Sequence, residues 1–142
     1  MDIAIRQIVE FGVLAVLGVM SIITLYIVLE RWMYFRSVDI YRFSDKDRLE
    51  LALTKNLTLL YTIGANAVYI GLLGTVLGII ATFATIGDGG HVEAKAIMSN
   101  LSYTLIATAA GLVVAIPAMV FYNALVRIGD RLMVDWGDRH GS

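Results

Sequence analysis

Three long segments of this 142-residue chain contain no charged side chain. They cover residues 11–29, 56–87 and 96–126, and all are rich in Leu, Ile, Val, Ala and Gly. The hydrocarbon core of a bilayer is about 30 Å thick, which about 20 apolar helical residues can cross. Because a backbone in lipid finds no water, each crossing must be a helix that satisfies its own N–H and C=O groups. The sequence therefore predicts an all-α membrane protein with three transmembrane helices.

Positive charge lies almost wholly on one side of these segments. Nine of the eleven Lys and Arg residues fall in the connection after the first segment or beyond the third, and only Arg6 and Lys95 lie opposite. The positive-inside rule places that connection and the C-terminus in the cytoplasm, and the N-terminus and the turn Asp88–Lys95 on the outer face. We predict one three-span membrane domain with spans at about 8–30, 57–87 and 96–126 and a cytoplasmic connection at 31–56. The second and third spans exceed the bilayer requirement and should extend into the cytoplasm.

The composition argues against an enzyme. Hydrophobic residues make up 58% of the chain and the cysteine count is zero, so thiolate metal sites and disulfides are excluded. The cytoplasmic connection is too short for an enzyme domain. The sequence shows no nucleophile–base set, because His91 and His140 both lie in extramembrane positions. We expect no catalytic residue, no metal or other cofactor, and no nucleic-acid partner.

Local signals predict how the spans begin and end. An aromatic and basic belt at 30–36 closes the first span at headgroup level, as in a lipid-facing anchor helix. Ser44 is a candidate N-cap for a cytoplasmic helix, which we expect to continue unbroken into the second span because no Pro or Gly lies between Ser44 and Gly64. In the third span, Pro117 removes the hydrogen bond to the carbonyl of Val113 and should bend the helix.

Small and hydroxyl residues recur on one face of the second span and on one face of the third, mostly at steps of three and four. One interpretation is close helix packing through small residues. The other interpretation is an interior space lined by polar side chains, which could form a pore. The candidate packing positions are Gly71, Gly74, Gly78, Gly111 and Pro117, and the candidate path residues of these stripes are Thr75, Thr82, Thr104 and Thr108. Because the stripes look too long for one chain to cover, we expect a homo-oligomeric ring with these spans facing its centre and the first span against lipid.

Two of the threonines should lie at the same depth. Thr75 precedes Asp88 by 13 residues and Thr108 follows Lys95 by 13 residues. In antiparallel helices joined by that turn, both hydroxyls would lie roughly 20 Å from it. Neither span contains a carboxylate, and Glu10 lies at the outer end of the first span, where we expect it to be hydrated. If protons cross here, a partner must supply the titrating acid.

Residues 71–83 read GLLGTVLGIIATF, and residues 105–123 read LIATAAGLVVAIPAMVFYN. With the three-span topology, these motifs resemble the second and third spans of the ExbB/TolQ/MotA proton-channel family, and the chain is most similar in character to short ExbB members. The resemblance implies a bacterial inner-membrane protein with a periplasmic N-terminus and a cytoplasmic C-terminus. It implies five copies around two copies of a single-span ExbD-like partner, whose membrane Asp carries protons.

The same resemblance implies that the proton motive force drives TonB-dependent transport across the outer membrane, such as iron uptake, through a TonB-like partner. Thr75 and Thr108 match the family's pore threonines. Family members often have Glu five residues before the third-span Thr; this chain has Tyr103 there, so conduction at that position would need the phenol or a water. A TolQ-like envelope motor subunit and a passive helix-packing scaffold are the alternatives.

Overall fold

The computed structural model describes residues 3–87 and 93–140. Its elements are α1 (Ile3–Ser37), a 3₁₀ turn (Ile40–Arg42), α2 (Lys46–Leu53), α3 (Leu57–Gly87) and α4 (Ala94–His140), and this part of the chain has no strand. Helices α1, α3 and α4 are long and apolar enough to cross a membrane. The predicted all-α membrane fold is therefore confirmed. The centre of the predicted outer turn, including His91, lies outside the described residues.

Helix α1 buries only a narrow stripe of its surface. Val13, Leu17, Thr24, Ile27 and Arg31 are buried at steps of three, four and seven, and most other side chains of the helix are exposed. This pattern fits a helix that packs along the other two spans on one side and faces lipid on the rest. The helix continues to Ser37, whose hydroxyl donates to the carbonyl of Met33 at 2.9 Å.

The start of α2 differs from the expectation. Its N-cap is Asp45 and not Ser44: Asp45 has extended backbone angles and its carboxylate accepts a hydrogen bond from the N–H of Asp47 at 3.0 Å. Both residue types can cap a helix, but a carboxylate also interacts favourably with the positive end of the helix dipole.

The expected continuous helix from α2 into α3 is also wrong. Helix α2 ends at Leu53, with Thr54 as its C-cap, and α3 begins at Leu57. Between them Asn56 adopts a φ of 67°, the left-handed region that Asn tolerates better than most residues with a side chain. An asparagine thus breaks the helix where neither Gly nor Pro is present.

Helices α3 and α4 form an antiparallel pair, and α1 packs across it. One cluster joins Val13 and Leu17 of α1 to Ala67, Ala107 and Ala115 of the pair. A second cluster lies nearer the connection and is built on Ile27, Leu57, Leu60, Ile63, Ala118 and Leu125. The three long helices therefore pack together through two apolar clusters at different positions along their length.

Helix α4 is 47 residues long, which corresponds to about 70 Å at the α-helical rise. It thus exceeds the thickness of a bilayer, and its C-terminal part packs on α2 and the 3₁₀ turn. There Trp136 is buried with Ile40, Leu49 and Leu53, and its indole N–H donates to the carbonyl of Phe43 at 2.9 Å. Pro117 lies inside this uninterrupted helix, and the bend expected there stays a prediction.

Candidate functional site

The candidate site is built on close contact between the backbones of α3 and α4. A methyl group added at Gly71 would lie 2.6 Å from the carbonyl oxygen of Ala107 and 3.1 Å from the Cα of Gly111. One added at Gly111 would lie 2.6 Å from the carbonyl oxygen of Ala67. Only glycine permits this approach, because any Cβ would overlap the opposite helix. The two glycines bring the hydroxyl groups one turn away within reach of each other.

Thr75 lies at the centre of these contacts. Its hydroxyl makes a direct hydrogen bond with the hydroxyl of Thr108, and it also lies 3.2 Å from the carbonyl oxygen of Thr104 and 3.4 Å from that of Gly71. A threonine hydroxyl has one proton to donate and two lone pairs to accept with. Thr108 can thus donate to Thr75 while Thr75 donates to a backbone carbonyl. The predicted equal depth of Thr75 and Thr108 is confirmed.

The other two predicted path threonines on the stripes are buried and bonded within their own helices. Thr82 is 3% exposed and donates to the carbonyl of Gly78 at 3.0 Å; Thr104 is 1% exposed and donates to the carbonyl of Asn100 at 2.9 Å. Thr104 also covers Gly78, where an added methyl group would lie 2.5 Å from its Oγ1. In a single chain both hydroxyls are buried, and Thr104 packs on Gly78 across the α3–α4 interface.

The structure does not bring Tyr103 to this cluster. Tyr103 is 61% exposed, whereas the neighbouring Thr104 is buried against α3. Successive residues of a helix point about 100° apart, so the phenol faces away from the contact surface that holds Thr75 and Thr108.

The predicted packing glycines lie in the interface, and Pro117 does not. Gly74 faces both other long helices: an added methyl group would lie 2.8 Å from the Cβ of Ala107 and 3.0 Å from Cγ1 of Val13. Pro117 is exposed and lines a cleft beside α1. The expectation that one chain cannot cover both stripes is wrong, since α3 and α4 bury most of them against each other.

The chemistry available at this cluster is hydrogen bonding alone. No Asp, Glu, His, Lys or Arg occurs in residues 57–87 or 96–126. In the described parts of the chain, no group of three His, Cys, Asp or Glu residues could hold a metal ion. Hydroxyls can pass or orient a proton carried by another group, but they do not titrate near neutral pH. The site can assist proton movement and cannot carry it alone.

Sequence reasoning missed a buried arginine at the end of the first span. Arg31, expected in the aromatic and basic belt at headgroup level, is 1% exposed. Its guanidinium donates to both carboxylate oxygens of Glu30 at 2.5 Å and to the carbonyl of Ala52 at 2.7 Å, and it lies 4.3 Å from the ring centre of Tyr34. The helical period could have indicated this burial, because Arg31 follows Ile27 by four residues and Thr24 by seven and so lies on the same face of α1.

This contact ties α1 to α2. The guanidinium meets the C-terminal carbonyls of α2, which carry the negative end of the helix dipole. Arg31 therefore fixes α2 beside the membrane end of α1. The connection that leads into α3 is held from both sides, by Arg31 on α1 and by Trp136 on α4.

Comparison with known proteins gives matches along most of the chain. The model of the MotA/TolQ/ExbB proton channel family matches residues 43–137. Biopolymer transport protein ExbB of Helicobacter pylori is 50% identical over 128 residues, which cover 90% of this chain and 88% of the relative. Biopolymer transport protein ExbB of Aquifex aeolicus is 44% identical over 137 residues, covering 96% and 93%. A putative biopolymer transport protein ExbB-like 2 of Helicobacter pylori is 46% identical over 135 residues, covering 95% and 90%.

Proposed function

Because the chain belongs to the MotA/TolQ/ExbB proton channel family, we propose that it is the multi-span subunit of an ExbB–ExbD type complex. In this proposal the complex uses the proton motive force to energise TonB-dependent transport across the outer membrane. The family is one of channels rather than of enzymes. Similarity to ExbB-named proteins over nearly the whole chain supports the choice of ExbB within the family.

The observation that carries the proposal is the contact between Thr75 and Thr108 in spans that contain no acid. Thr108 is only half-buried, so its hydroxyl lies at the edge of the α3–α4 interface, where a partner helix could approach. In the proposed mechanism a single-span ExbD-like partner supplies an Asp at this depth. That Asp takes up a proton and releases it again. Meanwhile the threonine hydroxyls accept a hydrogen bond from the carboxyl group or donate one to it, directly or through water.

The proposed orientation rests on charge. Nine of the eleven Lys and Arg residues lie in the connection or after the third span, which supports a cytoplasmic C-terminus and a periplasmic N-terminus in the bacterial inner membrane. In this orientation the cluster around Trp136 lies in the cytoplasm. Protons would enter from the side of Lys95 and leave toward the side of Arg127.

The surfaces left exposed support assembly with other chains. Along α3, Leu73, Val76, Ile80 and Phe83 recur at steps of three and four and are exposed or half-buried in the single chain. The same line continues toward α2 with Thr62 and Asn66, whose side chains donate only to carbonyls of the preceding turn. We propose that five copies form a ring around two partner helices, with α1 on the lipid side.

A passive scaffold is the second candidate, and a specific observation favours it. Thr82 and Thr104 are both buried, and each hydroxyl is bonded within its own helix. For these two residues helix packing explains the structure without a proton path. The two candidates therefore differ at Thr75 and Thr108. A TolQ-like role would use the same pair and differ only in the partner complex.

The test is proton flux. The chain is purified with the product of a neighbouring gene that encodes a single-span protein with one membrane Asp, and the complex is placed in liposomes that contain a pH-sensitive dye. A proton gradient should dissipate faster with the wild-type complex than with Thr108→Val, while Thr85→Val should conduct as the wild type does because its hydroxyl bonds only Ala81 of its own helix. Equal flux through all three complexes would support the scaffold.

A further inference from the structure

A cleft opens between α1 and α4 within the apolar part of both helices. Its volume is about 130 Å³. Most of its lining is aliphatic or aromatic, but two hydroxyl side chains and the segment around the proline also reach it. The lining residues are Ser21, Thr24, Leu25, Val28, Val113, Val114, Pro117 and Phe121.

Pro117 leaves a backbone acceptor at this cleft. A proline has no N–H, so the carbonyl of Val113 cannot receive the hydrogen bond that residue 117 would give it in a regular helix. Val113 and Pro117 both line the cleft. In the hydrocarbon region an unsatisfied carbonyl is costly, and another donor is required.

Ser21 faces the same cleft with an uncommitted hydroxyl. The other serine and threonine residues of α1 bond back to their own helix: Thr24 donates to the carbonyl of Met20 at 2.8 Å and Ser37 donates to that of Met33 at 2.9 Å. Among the described residues Ser21 makes no such bond, and its side chain lines the cleft instead. The hydroxyl of Thr24 keeps its lone pairs available as acceptors.

We propose that this cleft binds water, which bridges the hydroxyl of Ser21 on α1 and the carbonyl of Val113 on α4. The volume would hold about four water molecules at the liquid density of about 30 Å³ each. The cleft offers fewer polar groups than four water molecules would need. The hydroxyl of Ser21 can donate, the carbonyl of Val113 can accept, and Thr24 supplies further lone pairs. One or two ordered waters therefore match the site.

An acyl chain is the competing occupant, because most of the lining is apolar and the membrane surrounds it. It cannot satisfy the carbonyl of Val113 or the hydroxyl of Ser21, and water can satisfy both. The bridge would join the anchor helix to the proline position of α4. It does not depend on proton conduction, and it holds whether or not the proposed function does.

The direct test uses magnetisation transfer from water in solid-state NMR of the full chain in lipid bilayers. Signals of Ser21 and of the Val113 carbonyl should build up faster than those of Ile22 and of the Val120 carbonyl, which are exposed on the same helices. Ser21→Ala should slow the build-up at Val113. Equal build-up at all four positions, or transfer to Ser21 from lipid methylenes alone, would overturn the proposal.

A mutant cycle gives an independent test. Pro117→Ala restores a backbone N–H that can donate to the Val113 carbonyl, so this carbonyl no longer needs a hydrogen bond from the bridging water. Ser21→Ala should then lower the folding equilibrium constant about threefold with Pro117 present, as expected of a hydrogen bond between membrane helices, and should leave it unchanged with Pro117→Ala. The four proteins are compared by unfolding in mixed micelles at one protein concentration. The same effect of Ser21→Ala in both backgrounds would contradict a bridge to Val113.

Discussion

The backbones of Gly71 and Gly111 touch where α3 crosses α4: a methyl group on either glycine would lie 3.1 Å from the Cα of the other. The contact is reciprocal, since each added methyl group would also lie 2.6 Å from a carbonyl oxygen of the opposite helix. A carbonyl in a helix cannot move without disturbing its own hydrogen bonds. The crossing therefore admits no side chain at either position.

Gly71→Ala should destabilise the chain by about 1–3 kcal/mol, the usual cost of overpacking. Gly18→Ala on α1 is the matched control, because nothing lies within 4 Å of a methyl group there and alanine favours a helix over glycine. Thermal unfolding in detergent of both variants and the wild type gives the comparison. Equal melting temperatures of Gly71→Ala and Gly18→Ala would show that the helices can move apart at this crossing without loss of stability.

Thr75→Val should abolish energy-dependent uptake in cells while the protein still inserts and assembles. Valine keeps the shape of threonine and removes the hydroxyl that contacts Thr108 and the carbonyl of Thr104. A lost hydrogen bond between membrane helices costs about 0.6 kcal/mol, which is too little to unfold the chain. Uptake is measured alongside the oligomer in mild detergent, with Thr85→Val as the control.

Full uptake in Thr75→Val, in Thr108→Val and in the double variant would reduce the threonine contact to helix packing. Loss of uptake together with loss of the oligomer would show a structural role instead.

Arg31→Met should destabilise the chain by about 2–3 kcal/mol. Removing one partner of a fully buried ion pair destabilises a protein by more than this. Here the side chain of Glu30 is 27% exposed and keeps some contact with water, which lowers the cost. Arg42→Met is the control, because its side chain is 85% exposed and its carboxylate partner lies 4.0 Å away. Chemical unfolding in detergent should separate the two variants, and equal midpoints would contradict a role for Arg31 in holding α2.

Trp136→Phe should loosen the connection between the first two spans. It removes the indole N–H that binds the carbonyl of Phe43, a loss of about 1 kcal/mol that would raise the locally opened population roughly fivefold. Limited trypsin digestion should then cut faster after Arg42. Trp32→Phe, at an exposed position on α1, should leave the cleavage rate unchanged. If both variants are cut at the wild-type rate, Trp136 does not secure this segment.

Membrane topology can be tested with single cysteines in a chain that has none of its own. An impermeant thiol reagent should label a cysteine at Gly89 from the outside of intact cells, and a cysteine at Ser44 only after the membrane is opened. The expectation follows from the uneven distribution of Lys and Arg. The reverse pattern of labelling would overturn the orientation.

Local features of the sequence were sufficient for much of this structure. Long apolar segments without charge predict membrane helices, and the helical period sorts their residues into faces, so the stripe holding Gly71, Thr75 and Gly78 could be recognised in advance. The equal depth of Thr75 and Thr108 followed from counting residues from a shared turn. These properties depend on hydrophobicity and on the geometry of one helix, which each segment carries within itself.

Other features depended on which surfaces meet. The two stripes pack on each other within one chain, Arg31 is buried because Glu30 and the end of α2 surround it, and Trp136 reaches a carbonyl 93 positions away along the chain. The break at Asn56, with its left-handed φ, separates α3 from an α2 that packs on α4. The sequence by itself determined the membrane class, the helices and their polar faces, because these follow from local period and hydrophobicity. Only the tertiary structure decided which surface each helix face packs against, because the energy of that contact depends on residues far away in the chain.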